Sequence, residues 1–238
     1  MRNALIAIVL SLVGSAQAQL DQIFMKADES LNQRSTSGLS NDKIIAGLKE
    51  ALRVSTGKAV AVTGRPDGFL KNQTIKILLP QKLKTVGAGM RMIGMGAQVD
   101  ELEVGMNRAA EQATPFAKQI FLNALKKMTF DDARKILTGS DTAATAYFQR
   151  TSTGELSTAF APIVEKSMKN VGVVQQYNRV LASAPGGSAL AGQFDLNKYV
   201  VGKTLDGLFL VLGEEEKKIR KNPVAQTTSL LKEVFGAR

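Results

Sequence analysis

The residues best equipped for chemistry lie in DTAATAYFQR, from Asp141 to Arg150. On a helix, Asp141, Thr145 and Phe148 share one face, while Ala143, Tyr147 and Arg150 occupy another. Asp141, or Glu155 a little further on, can serve as a general acid or base if it is buried. Caps and an ordinary buried tyrosine hydrogen bond account for the same residue types. Two acidic clusters also stand out, Asp131-Asp132 and Glu214-Glu215-Glu216. A metal there would have to be a hard cation held by oxygen, and neither run has the spacing of a calcium loop. Helix electrostatics explain both: Asp131 and Asp132 suit a helix N-terminus, and Glu214 with Lys218 and Glu216 with Arg220 are i,i+4 pairs in the favourable order. No metal site and no cofactor is expected. Nor does any second carboxylate stand at a readable spacing, as the acid pair of a glycosidase would require.

The missing residue types narrow the chemistry further. With no His the chain has no imidazole base, no Ser-His-Asp triad and no ordinary catalytic zinc site. With no Cys it has no disulfide, thiolate nucleophile or soft metal site. Carboxylates, Lys, Arg, Tyr and hydroxyls remain, so the expectation leans away from catalysis, with a metal-independent carboxylate hydrolase kept as an alternative.

Charge points elsewhere. The 238 residues carry 31 Lys and Arg against 21 Asp and Glu, a net +10. Residues 43–91 hold ten of the basic side chains and only Glu50 and Asp67 as acids, a local net of +8. Lys58, Arg65, Lys71, Lys76, Lys82, Lys84 and Arg91 are the candidate contacts for an anionic partner: anionic lipid, lipopolysaccharide or another acidic envelope polymer. A solvated basic surface accounts for the same excess. Nucleic acid is not expected, because Phe69 is the only aromatic residue of that segment available for stacking. The Gly-rich stretch 87–96 fits neither GxGxxG nor GxxxxGK[ST] and reads as close helix packing or a break between helices. Its Met90, Met92 and Met95 read as adaptable core, with a groove for an apolar ligand as the alternative.

The N-terminus carries an address. MRNALIAIVLSLVGSAQA has a cationic start, an apolar stretch and a small-x-small ending, the layout of a secretory signal peptide cleaved after Ala18. Export, most simply to a periplasm, is expected. No later segment is expected to span a membrane: the best candidate, 199–213, is interrupted by Lys203 and Asp206.

The elements that must position these residues are helical. A first helix is expected over 20–33, then a flexible linker to Ser40, which caps a helix with Ile44, Ile45, Leu48 and Leu52 on one face. Gly57 and Gly64 weaken its far end, and RPDG at 65–68 is a turn. Residues 74–79 alternate, with Ile75, Ile77 and Leu79 on one side, as a short strand or an extended segment laid over helices. Val99, Leu102, Met106, Ala109, Ala110 and Ala113 line one helical face. Thr114-Pro115 reads as a cap with Pro at the first helical position, continued by Phe116, Ile120, Ala124, Leu125 and Met128. Thr129 and Ser140-Asp141 read as further helix starts separated by Gly139, and another helix is expected from about 154 to 170, bent at Pro162. Residues 184–193 are a loop, Asp195 caps a long helix to about 220 whose middle is apolar all round, and 229–235 form a last amphipathic turn after Pro223.

Two long stretches carry a resemblance: MTFDDARKILTGSDTAATAYF from Met128, and LDGLFLVLGEEEKKIRKNP from Leu205. Asp67-Gly68-Phe69, Met106-Asn107-Arg108-Ala109-Ala110 and Gln175-Gln176-Tyr177-Asn178 fit the same pattern. Together, over about residues 38–236, they resemble an exported bacterial family catalogued as domain of unknown function 4197. The resemblance implies an extracytoplasmic helical domain and supplies no activity, ligand or catalytic residue.

The expected architecture is thus all-α: a signal peptide over 1–18, an N-terminal helix and linker over 19–40, and a single multi-helix bundle over 41–238. That bundle has a long buried helix near its C-terminus and at most one short extended segment. The expected role is non-catalytic binding of an anionic envelope component through residues 43–91, with a carrier of a hydrophobic ligand as the alternative.

Overall fold

Apolar or small residues at every fourth position shape the longest of the described helices. Ala144, Phe148, Ser152, Leu156, Phe160, Val164 and Met168 are all buried. A strict step of four residues turns about 400° on a helix of 3.6 residues per turn, so this stripe spirals by roughly 40° per step. A spiralling stripe meets neighbours on several sides in succession, and this helix does so. In the computed structural model, which describes residues 41–170, 172–183 and 195–221, the helices are α1 (Asn41–Gly64), α2 (Gln81–Met92), α3 (Gly96–Ala113), α4 (Ala117–Lys127), α5 (Phe130–Thr138), α6 (Ala143–Asn170), α7 (Val173–Ser183) and α8 (Leu196–Lys221). A 3₁₀ turn, Thr114–Phe116, joins α3 to α4. Helix α6 packs against α3, α4, α5, α7 and most extensively α8. The chain divides into two units, Met1–Ile44 and Ile45–Arg238, and this packed bundle belongs to the second.

The fold is an all-α bundle, with no strand among the described residues. Its core is joined by aromatic contacts: Phe121 of α4 meets Phe148 of α6 edge-on at 5.0 Å and Phe209 of α8 at 6.1 Å. The predicted face of α3 is buried throughout, from Val99 to Ala113. Thr129 caps α5 through a capping box with Asp132, and the Asp195 carboxylate accepts the Lys198 N–H at the start of α8.

Several expectations are corrected. Helix α6 starts at Ala143 and runs unbroken through Gly154 and Pro162 to Asn170; Pro162 faces solvent, where water can take the carbonyl it leaves unpaired. Helix α1 likewise passes Gly57 and ends at Gly64. Thr114 does not cap: its hydroxyl donates to Ala110 O at 2.9 Å, and Phe116 is exposed. Met92 is exposed rather than core, whereas Met90 is buried. Leu210 breaks the all-round burial of α8 at 44 % exposure. Glu214 pairs with Lys217 in place of Lys218. The expectations for 20–33, 33–40 with the Ser40 cap, 184–193, Pro223 and 229–235 lie outside the described residues.

Residues 65–79, between α1 and α2, form no strand or helix, yet Gly68, Phe69, Ile75, Ile77 and Leu79 are buried and their backbone needs partners. Helix α3 supplies them from side chains four residues apart. Glu111 Oε1 accepts the N–H groups of Phe69 (3.0 Å) and Leu70 (3.1 Å). Asn107 accepts the Ile77 N–H and donates to the Ile77 carbonyl, both at 2.8 Å. Glu103 accepts the Leu79 N–H at 3.3 Å. The side-chain amide of Asn107, wholly buried, stands where a neighbouring strand would be. Arg108 completes the clamp, donating to Glu111 at 2.6 Å and to Asp67 at 2.7 Å. Asp67 takes φ 65° in the predicted RPDG turn, closed by Gly68 N–H to Arg65 O at 2.9 Å.

A second node organises the other end. Glu216 accepts the N–H groups of Ala144 (2.9 Å) and Thr145 (2.8 Å) and the Thr145 hydroxyl, placing a buried carboxylate at the N-terminus of α6. Arg220 holds it from 2.9 Å and donates to Ile136 O of α5 at 2.8 Å. The expected helix start at Ser140-Asp141 is therefore displaced to Ala143, with its acid delivered from α8.

Replacing Asn107 by Ala leaves both backbone groups of buried Ile77 unpaired and lowers unfolding stability by about 2–4 kcal/mol; a denaturant midpoint change worth less than about 0.5 kcal/mol would contradict the clamp. Hydrogen bonds from Lys71 and then Arg108 hold the Asp67 carboxyl below its usual 3.8. A depressed carboxyl stabilises the fold above the unfolded value and ceases to do so as pH falls through the folded one. Asp67→Asn, which keeps a residue tolerant of positive φ, thus melts below wild type near neutral pH, and the gap closes on acidification below 3.8. A gap independent of pH would refute that assignment.

Candidate functional site

The clamped segment is one wall of a groove. Alternation from 74 to 79 turns Ile75, Ile77 and Leu79 inward and leaves Lys76 and Leu78 facing out, Leu78 at 48 % exposure. The opposite wall is α8. There Gly207 gives up a side chain to admit the segment: a Cβ at that position would lie 2.6 Å from Phe69 Cε1 and 3.1 Å from Ile75 Cβ. One helical stripe of α8, comprising Tyr199, Lys203, Asp206 and Leu210, faces the opening, and the Tyr199 hydroxyl bridges the walls by donating to Leu78 O at 3.0 Å. Ile75 meets Gly207 while Leu78 meets Tyr199, so the segment runs antiparallel to α8. The resulting groove holds about 520 Å³ and is completed by Lys84 from the first turn of α2.

Its electrostatics are uneven. Lys203 pairs with Asp206 at 2.9 Å. Lys76 and Lys84 make no ion pair with another described residue, which leaves two cations over an apolar floor. Helix α2 begins at this rim with Pro80 at its N-cap, no capping side chain and no acid in its first turn. Burial raises the Tyr199 phenol above its usual value; Lys203 opposes that shift, and Glu103 and Asp206 reinforce it. A second groove of about 460 Å³ lies further along α8, between it and the start of α6, and shares Asp206 and Leu210 with the first.

Of the seven basic residues singled out from the sequence, the fold brings Lys76 and Lys84 to this groove. Lys71 pairs with Asp67 at 2.7 Å and Arg91 with Asp100 at 2.6 Å. Lys58, Arg65 and Lys82 are exposed on α1, the turn after it and α2, outside the groove lining. Lys203, Tyr199 and Leu210 were not among the sequence candidates. Their signal is present in retrospect: 199, 203, 206 and 210 recur at helical spacing, and Lys203 and Asp206 interrupt an otherwise apolar run because that stripe is open to solvent.

Of the polar set Asp141, Tyr147 and Arg150, the fold brings Tyr147 and Arg150 together and pairs Asp141 elsewhere. Asp141 lies before α6 in an ion pair with Lys221, whose hydrogen bond holds its carboxyl low. Tyr147 is buried, donates to Ala124 O at 3.0 Å and has its phenol raised by that burial. Arg150 lies 5.6 Å from the Tyr147 ring centre, a cation–π contact, and 3.5 Å from Asp132. Among the described residues no three carboxylates gather as a cation site.

The segments that carry the family resemblance are those that build this architecture. Asp67-Gly68-Phe69 and Asn107-Arg108 form the clamp behind the groove, and the two long stretches meet at Glu216. No curated protein and no solved structure matches the chain. Over residues 38–236 it matches the family described as Protein of unknown function (DUF4197). That match spans most of the sequence, and the chain belongs to this family.

Proposed function

We propose that this is an exported, non-catalytic helical protein that binds an anionic component of the bacterial envelope through its basic 43–91 segment, after cleavage of a signal peptide behind Ala18. The observation that carries the reading is the pair Lys76, half-buried, and Lys84, exposed, which line one groove unmatched by any described carboxylate. Unpaired cations at a concave surface concentrate anionic head groups and polymers at short range. The N-terminal layout supports export, and the family to which the chain belongs supplies no competing activity. No helix among the described residues is long and apolar enough to cross a membrane, so contact with lipid would be made from the surface.

The test is cosedimentation of the protein, recovered from the periplasmic fraction, with phosphatidylglycerol vesicles and with phosphatidylcholine vesicles. Binding to the anionic vesicles is expected to weaken with added salt and to fall roughly tenfold or more when Lys71, Lys76, Lys82 and Lys84 are changed to Glu. Equal binding by the two vesicle types, or by wild type and the charge-reversed variant, would overturn the reading.

A further inference from the structure

The groove has a polarity along its length that a simple basic patch lacks. Because the 74–79 segment runs antiparallel to α8, Leu78, Tyr199, Lys203 and Lys84 gather toward one end, and Lys76 lies between. Leu210 marks the other end and opens into the second groove, where Phe209, Ala146 and Gly213 stand beside Thr142, Thr145, Gln149 and the Glu214–Lys217 ion pair. The described charges facing the first groove are three lysines and Asp206, a net of two positive charges, with the Glu103 carboxylate turned to Leu79 N–H behind the wall. An acidic polymer or a bare phosphate uses only the cations. Leu78 and Leu210, large apolar side chains left 48 % and 44 % exposed, call for an apolar occupant beside the charge. At about 520 Å³ the first groove also falls in the size range of small-molecule sites, roughly 300–1,000 Å³.

We infer that this trough binds one molecule of a single-chain lipid phosphate, with the phosphate between Lys76 and Lys84 and the acyl chain laid over Leu210 toward Phe209. The inference rests on the proposed affinity for anionic envelope components and assigns it a ligand and a site. Charge complementarity selects the head group. Exposed Leu210 and the run of the trough along α8 select the chain. Burial of chain methylenes against Leu210 supplies the apolar part of the affinity, with the buried Phe209 only edging the second groove.

The experiment is native mass spectrometry and equilibrium titration of the intact exported protein with palmitoyl lysophosphatidic acid below its critical micelle concentration. Inorganic phosphate and an alkyl maltoside of equal chain length serve as separate arms. One lysolipid per chain is expected, with both control ligands weaker by roughly tenfold or more. Lys76→Glu with Lys84→Glu lowers lysolipid binding by about that factor, and so does Leu210→Asp, whose exposed position leaves folding intact. Leu210→Asp keeps anionic-vesicle binding, since the lysines are untouched. Phosphate binding as tightly as the lysolipid, or Leu210→Asp binding as wild type does, would overturn the assignment. So would a dimer that dissociates on Leu210→Asp, which would put a second copy of the chain in the trough. Vesicle binding without lysolipid binding refutes the inference alone; lysolipid binding without vesicle binding refutes the envelope-surface reading alone.

Discussion

A single side-chain amide carries an unusual share of this architecture. Asn107 grips Ile77 by both its backbone groups at 2.8 Å, and with Glu103 and Glu111 it turns one face of α3 into a hydrogen-bonding template. The segment it holds has no regular structure of its own. Without that template, its buried N–H groups would each cost about 1–3 kcal/mol, and extended chain of this kind belongs on the surface. With the template, Phe69 reaches the gap left by Gly207, the inward side of 74–79 seals the core, and the outward side becomes a wall. The lysine-lined groove exists because the clamp exists.

The opposite end of the bundle is organised by the same device with the roles exchanged. There a carboxylate from α8 serves the N-terminus of α6, and Arg220 neutralises it while bonding to α5. The neighbouring helices α5 and α6 are thereby registered against the distant α8 around one buried pair. Removing a single partner of such a pair leaves an uncompensated charge, at a cost of about 3–5 kcal/mol. Both nodes place polar groups inside the bundle where apolar packing alone would not specify which helices meet, or at what height.

What could be read from the sequence depends on the range of the interactions. The apolar face of α3, the helix start at Thr129, the Asp195 cap and the RPDG turn are all set within a few residues, and each was legible. The inward set Ile75, Ile77 and Leu79 was legible too, as an extended segment. What holds it was not, because Asn107 and Glu111 look like ordinary polar residues on a helix and bond 30 to 42 positions away. Asp141, Tyr147 and Arg150 share a short stretch, yet only Tyr147 and Arg150 meet, because Lys221 draws Asp141 into a separate ion pair. The groove was half legible: the excess of lysine over 43–91 contains Lys76 and Lys84, while Lys203 and Leu210 come from a helix whose open stripe is visible only once its neighbours are in place. Gly154 and Pro162 misled for a related reason, both being at solvent-facing positions where a break in packing or hydrogen bonding costs little.

The most direct measurement of the central claim is amide hydrogen exchange, resolved by residue, across 65–79 in the wild-type protein. The clamp predicts that Phe69, Leu70 and Ile77 exchange as slowly as the buried amides of α3, because opening them requires separating the segment from that helix. Exchange of these three amides at the rate of an exposed loop, while α3 stays protected, would contradict it.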